Sequence, residues 1–239
     1  LKIKISKDVF NMKKKSVIEK IKKHGLLGIL DYLAHSIFKT YWINIHFLKT
    51  NINYDKILSQ LENTDFKFKE LKYNDFLLGD PNEFTKKKLR LIKNRLENNT
   101  HRCYGFLDKD TLAYSCWISL DKIELPIISS NINLSNDEGF LYDAFCHPLY
   151  RGRGLHSNFN LFRMKNLYEL GKRECLVFVF KGNTSALRVQ YKCGFIDLGS
   201  FKVGKIFAIN FTTLKKNRFD KLFELKSQLI NNSQEINVI

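Results

Sequence analysis

Apolar positions change their period along the chain, and each period predicts a kind of element. Between Val17 and Tyr41 they recur at helical spacing with lysines among them, which predicts a basic amphipathic segment. Further along, alternating or unbroken apolar runs predict strands, and longer periodic runs predict helices. The predicted strands cover residues 66–69, 102–107, 111–120, 139–147, 175–180, 194–201 and 205–211, and the predicted helices cover residues 80–99, 155–170, 183–193 and 217–230.

This order of elements divides the 239 residues into three parts. We expect a basic amphipathic extension over residues 1–60, one folded domain over 61–215, and a C-terminal helix and tail over 216–239. The strand at 139–147 carries a single charged residue, Asp143, so we expect it at the centre of a sheet. The length suits a single core.

The net charge of the chain indicates a class of binding partner. The chain has 40 Lys and Arg and 24 Asp and Glu, a formal net charge of +16, which favours a polyanion: nucleic acid, an anionic membrane surface or a phosphate-rich small molecule. Twelve lysines and four acidic residues lie in the first sixty positions. Two interpretations of that extension stay open: it packs its apolar face on the domain, or it contacts an anionic membrane.

The five cysteines indicate the compartment. They are odd in number, far apart and without the spacing of a metal site, so we expect buried thiols in a reducing cytoplasm and no bound metal. Apolar stretches near the N-terminus are too short for a spanning helix, and no signal-peptide cleavage pattern is present, so export is not expected.

A glycine-rich basic turn between a strand and a helix is the most informative segment. It runs from His147 to His156 and reads HPLYRGRGLH. Unpaired N–H groups at a helix N-terminus point outward, the helix dipole adds positive potential, and glycines allow close approach of an anion. Phosphate binding is therefore expected at the residues of this turn, namely Arg151, Gly152, Arg153, Gly154, Leu155 and His156.

A second motif follows thirty residues later, where Asn183 opens a helix that ends at Gly194-Phe195. The chain has an R-x-x-G turn between a strand and a helix, then a strand, and then N-x-x-A ending in G-F. This order of motifs resembles the two signature motifs of the GNAT superfamily of N-acetyltransferases. The resemblance covers roughly residues 66–211. In detail, the sequences YDAF at 142–145 and GLH at 154–156 resemble members found among cell-surface polysaccharide biosynthesis genes.

The resemblance implies a fold and a cofactor. The fold is a mixed α/β domain, with a mostly antiparallel twisted sheet, a splayed parallel pair at its centre and helices on both faces. Acetyl-CoA would lie between the splayed strands, with its pantetheine arm on the backbone of Phe145 and Cys146. The amides from Gly152 to His156 would hold the pyrophosphate, supported by Arg151 and Arg153. Asn183 would bond the pantetheine or cap its helix.

Two positions depart from the family pattern. His156 replaces a small residue, so its ring must turn away from the phosphate contact or touch phosphate itself. Gln190 stands where the family usually has the tyrosine that protonates the leaving thiolate, and Tyr191 is about 100° further round the helix. Tyr191 is therefore either the general acid on a shifted helix or an ordinary packed or surface residue.

Candidates for the general base come from the acids nearest the central strand. Glu138 and Asp143 lie on opposite faces by strict alternation, and either is a candidate base or a structural residue. Cys146 as an acyl-accepting nucleophile is disfavoured, because spacing places no histidine beside it and buried thiols are usually inert.

These observations predict an acetyl-CoA-dependent N-acetyltransferase whose acceptor is a primary amine, with an amino sugar on a nucleotide as first choice. A peptide, an antibiotic or a polyamine stays open as acceptor, and a polyamine cation fits a basic surface least well. The alternative is a non-catalytic protein of the same fold that binds nucleic acid or an anionic membrane. Scattered basic residues without an aromatic–basic RNA signature make nucleic acid the weaker partner.

Overall fold

The structure of the protein is a computed structural model that describes residues 41–62, 64, 66–125, 130–206 and 209–236. Its strands are β1 (Tyr41–Asn51), β2 (Lys69–Glu70), β3 (His101–Asp108), β4 (Thr111–Ser119), β5 (Lys122–Leu125), β6 (Ser130–Asn133), β7 (Glu138–Cys146), β8 (Glu174–Phe180), β9 (Ile196–Ile206) and β10 (Ile209–Thr212). Its α-helices are α1 (Tyr54–Leu61), α2 (Lys86–Leu96), α3 (Leu155–Glu169), α4 (Thr184–Lys192) and α5 (Lys216–Ile236), and short 3₁₀ helices cover Tyr73–Leu78 and Pro148–Tyr150.

Eight of the strands form one sheet in the order β10-β9-β1-β8-β7-β4-β3-β2. Every neighbouring pair is antiparallel except β7 and β8, which are parallel and lie at the centre. The helix α3 connects these two strands, as a parallel pair requires. The predicted fold class, a mostly antiparallel sheet with one central parallel pair, is confirmed.

The two faces of the sheet carry separate layers of side chains and helices. Leu141 of β7 belongs to a cluster that includes residues of α1, α3 and α4, whereas its neighbour Phe140 belongs to a cluster that includes Phe219 and Phe223 of α5. Adjacent residues of a strand point to opposite faces, so β7 is covered on both sides. A third cluster joins Ile92 of α2 to the β3–β4 end of the sheet.

The strand β1 corrects the expected domain boundary. Residues 41–51 were expected in the basic extension, but β1 lies inside the sheet and pairs with β8 on one side and β9 on the other. It is covered on both faces, with Phe47 in the α5 layer and Leu48 in the α3 layer. The domain therefore begins by residue 41, and the helical pattern expected between Val17 and residue 40 lies outside the described residues.

Most other predicted elements match the structure with shifted ends, but of the strand expected over residues 66–69 only Lys69 lies in a strand, β2. The hairpin of β3 and β4 is confirmed, α3, α4, β8 and β9 begin within two residues of their predicted starts, and β10 begins four residues later than predicted. The helix expected from residue 80 begins only at Lys86, because Asp80 first forms a turn with backbone bonds from Glu83 and Phe84. The polar loop expected over 126–137 contains β6, which pairs with β5.

Candidate functional site

The central parallel strands separate halfway along their length. The pairing of β7 with β8 runs from Glu138↔Glu174 to Leu141↔Val177 and goes no further. Beyond that point β7 continues along β4 as far as Cys146, and β8 continues along β1 as far as Phe180. Backbone groups on the facing edges therefore lack a ladder partner across the gap, and such an edge accepts an extended ligand as an added strand.

A bulge in β7 lies at the start of this gap. The register against β4 shifts between the pairs of Ser115 and Trp117, and Asp143 adopts a φ of 45°. An extra residue in one strand bends it and resets its alternation. Strict alternation is therefore wrong beyond Tyr142: Ala144 lines the gap, whereas Phe145 packs edge-on against Phe84 at 5.1 Å between ring centroids.

The basic turn stands at the open end of the gap. Gly152 and Gly154 have φ angles of 79° and 76°, a region that disfavours a side chain, and α3 begins directly afterwards at Leu155. No side chain of the described residues caps this N-terminus, so its first amides are available to an anion. Arg151 and Arg153 are exposed beside it, with the Arg151 Nε donating to the carbonyl of Cys146 at 3.3 Å.

An outer cavity of about 500 Å³ lies between the turn, β7 and α4. It gathers seven of the predicted cofactor residues in its lining, namely Cys146, Arg151, Gly152, Gly154, Leu155, His156 and Asn183. Phe145 and Arg153 are not among the lining residues, although a backbone contact at Phe145 does not need its side chain. Asn183 caps α4, because its side-chain oxygen accepts the amide of Ala186 at 3.2 Å.

An inner cavity of about 290 Å³ fills the space where the strands separate. Its lining includes Tyr142, Asp143, Arg163 and Gln190, together with the last residues of β8. Both cavities share four lining residues, so they adjoin at Ala144, His156, Asn183 and Ala186. The site thus has a wide outer compartment next to phosphate-binding geometry and a smaller inner compartment with charged and amide side chains.

The ring of His156 lies between the two compartments. It turns inward, and its Nδ1 lies 2.6 Å from the hydroxyl of Tyr114, a residue of β4 that is 1% exposed. Burial, with the nearby charge of Arg163 as a second cause, lowers the pKa of His156 to about 4. The imidazole is therefore neutral near pH 7. This pairing could not be predicted from the sequence, because the contact depends on how α3 packs against β4.

Tyr191 does not reach either cavity. Its side chain is 48% exposed, and its hydroxyl donates to Asp197 at 3.1 Å. Gln190 is 2% exposed, lines the inner cavity, and accepts a hydrogen bond from Asn160 at 3.1 Å. The helix is not shifted to exchange the two positions, so the geometry favours the surface interpretation of Tyr191.

The two candidate bases lie in different places. Glu138 starts β7, at the far end from the turn, is 1% exposed, and is paired with Lys49 at 3.1 Å and Lys216 at 2.8 Å. Burial acts to raise the pKa of Glu138, but hydrogen bonds from Lys216 and Ser135 and the charge of Lys49 leave that pKa below its ordinary value. Glu138 does not lie in the cleft, and this geometry is that of a structural ion pair.

Asp143 lies in the cleft, but its carboxylate is already engaged. Arg95 donates to one oxygen at 2.6 Å and Lys88 to the other at 3.2 Å. Cys146 lines the outer cavity, and burial raises the pKa of its thiol, although Arg151 opposes that shift. A neutral thiol is a poor nucleophile, in agreement with the sequence-based expectation.

Comparison with known proteins gives structural neighbours only. No family model matches the sequence, and no curated protein matches it either. A GNAT-family acetyltransferase from Novosphingobium aromaticivorans is similar in structure, with 13% identity, a TM-score of 0.45, and coverage of 68% of this chain and 63% of that one. A GCN5-related glucosamine N-acetyltransferase region of a fungal multi-domain β-N-acetylglucosaminidase is also similar, with 13% identity, a TM-score of 0.49, and coverage of 74% of this chain and 22% of that one.

An aminoglycoside N-acetyltransferase, AAC(6')-Iy, solved with CoA, is a third neighbour, with 15% identity, a TM-score of 0.44, and coverage of 54% of this chain and 91% of that one. At these identities and TM-scores the likenesses assign no activity to this chain. The chain spans 63% of the length of the Novosphingobium aromaticivorans structure.

Among the described residues, no helix is both long enough and apolar enough to cross a bilayer.

Proposed function

We propose that this protein is an N-acetyltransferase that uses acetyl-CoA and belongs to the GNAT superfamily. The observation that carries the proposal is the gap between β7 and β8, which leads from an uncapped glycine turn into a buried cavity. The pyrophosphate binds the amides from Gly152 to His156, and the pantetheine arm pairs with the free edge of β7 near Phe145 and Cys146. The acetyl group then reaches the inner cavity.

The reaction is direct attack of the acceptor amine on the thioester carbonyl. A C–N bond forms, the C–S bond breaks, and the CoA thiolate takes up the proton that the amine has lost. Holding both substrates in one cleft supplies much of the rate enhancement. We assign to His156 the transfer of this proton from the amine to the thiolate, since its ring borders both cavities and is oriented by Tyr114. Its pKa of about 4 means that the ring passes the proton on rather than holding it. Asp143 remains the alternative base.

The acceptor is a primary amine, with an amino sugar on a nucleotide as first choice. A net charge of +16 supports a phosphorylated acceptor. The sequence likeness to proteins of polysaccharide biosynthesis supports the same class. Five cysteines without disulfide bonds support a reducing compartment, so we place the reaction in the cytoplasm.

Calorimetric titration with acetyl-CoA tests the proposal. We expect saturable binding to the intact protein and at least tenfold weaker binding to an Arg151→Glu, Arg153→Glu variant, because each change replaces attraction to phosphate with repulsion. Arg173→Glu is the matched control, since Arg173 is equally exposed but follows the far end of α3. Circular dichroism checks the fold of each variant.

Two results would contradict the proposal. If the folded intact protein binds no acetyl-CoA, the enzyme interpretation is lost. If it instead binds an oligonucleotide with an affinity that falls steeply between low and moderate salt, the non-catalytic alternative replaces it.

A further inference from the structure

Arg163 is a buried cation without an anionic partner in the part of the chain that the structure describes. It lies on α3 and is 1% exposed. Its Nη1 donates to the carbonyls of Trp117 at 3.0 Å and Tyr142 at 3.5 Å, its Nη2 donates to the side-chain oxygen of Asn160, and its Nε has no partner. All of these acceptors are neutral. A buried charge is strongly unfavourable unless an opposite charge compensates it.

The bulge fixes this guanidinium at the inner end of the cleft. Trp117 and Tyr142 are paired residues of β4 and β7, directly beside the point where the register shifts. Arg163 also lines the inner cavity. The uncompensated charge therefore lies where the reacting ends of the two substrates meet under the proposed function, about as far from bulk water as any residue of the site.

The other charged groups of the cavity do not neutralise Arg163. Among the described residues, Asp143 is the only acidic residue in the lining, and it is paired with two cations, Arg95 and Lys88. His156 stays neutral, because burial first and the charge of Arg163 second lower its pKa to about 4. The inner cavity consequently holds excess positive charge beside a buried guanidinium, which favours an anionic ligand.

We propose that the inner cavity binds a carboxylate of one substrate, with Arg163 as its counter-ion. Arg163 lines this cavity, and its planar guanidinium, whose Nε has no partner among the described residues, is the cation that best suits a carboxylate. The carboxylate belongs either to the acyl donor, as a dicarboxylic thioester of CoA, or to the acceptor, as an acidic amino sugar. This inference rests on the proposed function: the acceptor form specifies the amine, and the donor form replaces acetyl by a dicarboxylic acyl group at the same CoA site.

Matched substrate pairs test the proposal and separate the two sources. Acetyl-CoA against succinyl-CoA tests the donor, and glucosamine against muramic acid tests the acceptor, because each pair differs by a carboxylate-bearing group. Thiol release by the intact protein measures kcat/KM for every member. We expect at least a tenfold preference for the carboxylate-bearing member of one pair.

Substitutions of Arg163 test whether its charge causes the preference for the carboxylate-bearing substrate. Arg163→Met fills similar volume without charge and should abolish the preference, whereas Arg163→Lys should keep part of it. Arg173→Met, an exposed arginine beyond the end of the same helix, is the control and should behave like the unchanged protein. If Arg163→Met does not fold, the selectivity of the intact protein and of Arg163→Lys still decides whether the carboxylate proposal holds.

Each failure has its own signature. Equal activity with both members of both pairs, while acetyl-CoA still binds, overturns the carboxylate proposal and leaves the acetyltransferase standing. A preference that survives in folded Arg163→Met also overturns it. Absence of any acetyl-CoA or succinyl-CoA binding removes both proposals together.

Discussion

A histidine at the first turn of α3 changes the chemistry of the cleft at the scale of single residues. His156 fills the space that a small side chain would leave open, and its hydrogen bond to Tyr114 fixes the ring between the two cavities. Gln190 stands at the position of the expected general acid. Its side-chain oxygen accepts a hydrogen bond from Asn160, whose own side-chain oxygen accepts one from Arg163. Under the proposed function, the proton therefore passes through different side chains from those that the family resemblance implied.

Removal of the imidazole should slow the reaction without loss of the cofactor site. We expect His156→Ala to lower kcat by about 10²-fold or more, the usual contribution of a positioned acid or base. Tyr114→Phe removes only the hydrogen bond to Nδ1 and should have a smaller effect in the same direction. Initial rates at saturating acetyl-CoA, with its Kd measured in parallel, check both expectations.

Tyr191→Phe is the matched control for that experiment. The Tyr191 hydroxyl bonds Asp197 outside both cavities, so its loss should leave kcat within about twofold of the unchanged protein. A collapse of kcat in Tyr191→Phe with normal activity in His156→Ala would return the general acid to Tyr191.

At the scale of elements, local patterns were predictable and long-range registers were not. The β3–β4 hairpin follows from two β-rich runs joined by Asp108-Lys109-Asp110, all within twenty residues. The strand β1 could not be predicted in the same way, because Lys49 looks like a solvated lysine of the N-terminal extension. In the fold its ammonium is buried among Glu138, Glu174 and Asp220, from three distant elements. The bulge at Asp143 is equally invisible in the sequence, since only its pairing with β4 defines it.

The ion-pair cluster of β1 and β7 should stabilise the sheet rather than take part in catalysis. Replacement of one member of a buried pair leaves the others uncompensated, so Glu138→Gln should lower the free energy of unfolding by about 3 kcal/mol. Acetyl-CoA binding should be unchanged, because Glu138 lies at the opposite end of β7 from the turn. Urea unfolding and calorimetry measure the two quantities.

The pH dependence of the Glu138→Gln effect follows from the direction of the pKa shift. The pKa of Glu138 in the fold lies below its ordinary value of 4.5. Its contribution to stability is therefore fully present above about pH 4.5 and is lost as the pH falls through the lower, folded-state pKa. The two proteins should converge in stability under acid conditions. A difference that persists there, or a loss of kcat without a loss of stability, would mean that Glu138 has another role.

At the scale of the whole molecule, β1 marks where the sheet domain begins, and a lysine-rich segment precedes it in the sequence. Residues 1–40 contain ten lysines and three acidic residues, whereas residues 41–60 form β1 and α1 of the domain. Deletion of residues 1–40 should therefore keep the fold and acetyl-CoA binding. Deletion of residues 1–60 should abolish both, because β8 and β9 would each lose the strand that joins them.

Deletion of residues 1–40 also tests whether this segment contacts an anionic membrane. Attraction of clustered lysines to anionic lipid is worth roughly 1 kcal/mol per residue near the surface, so the intact chain should bind vesicles of phosphatidylcholine with phosphatidylserine, and the chain that lacks residues 1–40 should not. Vesicles of phosphatidylcholine alone are the control for charge. Equal binding by both chains would place the basic surface on the folded domain instead, and a fold that survives removal of residues 1–60 would contradict the central place of β1.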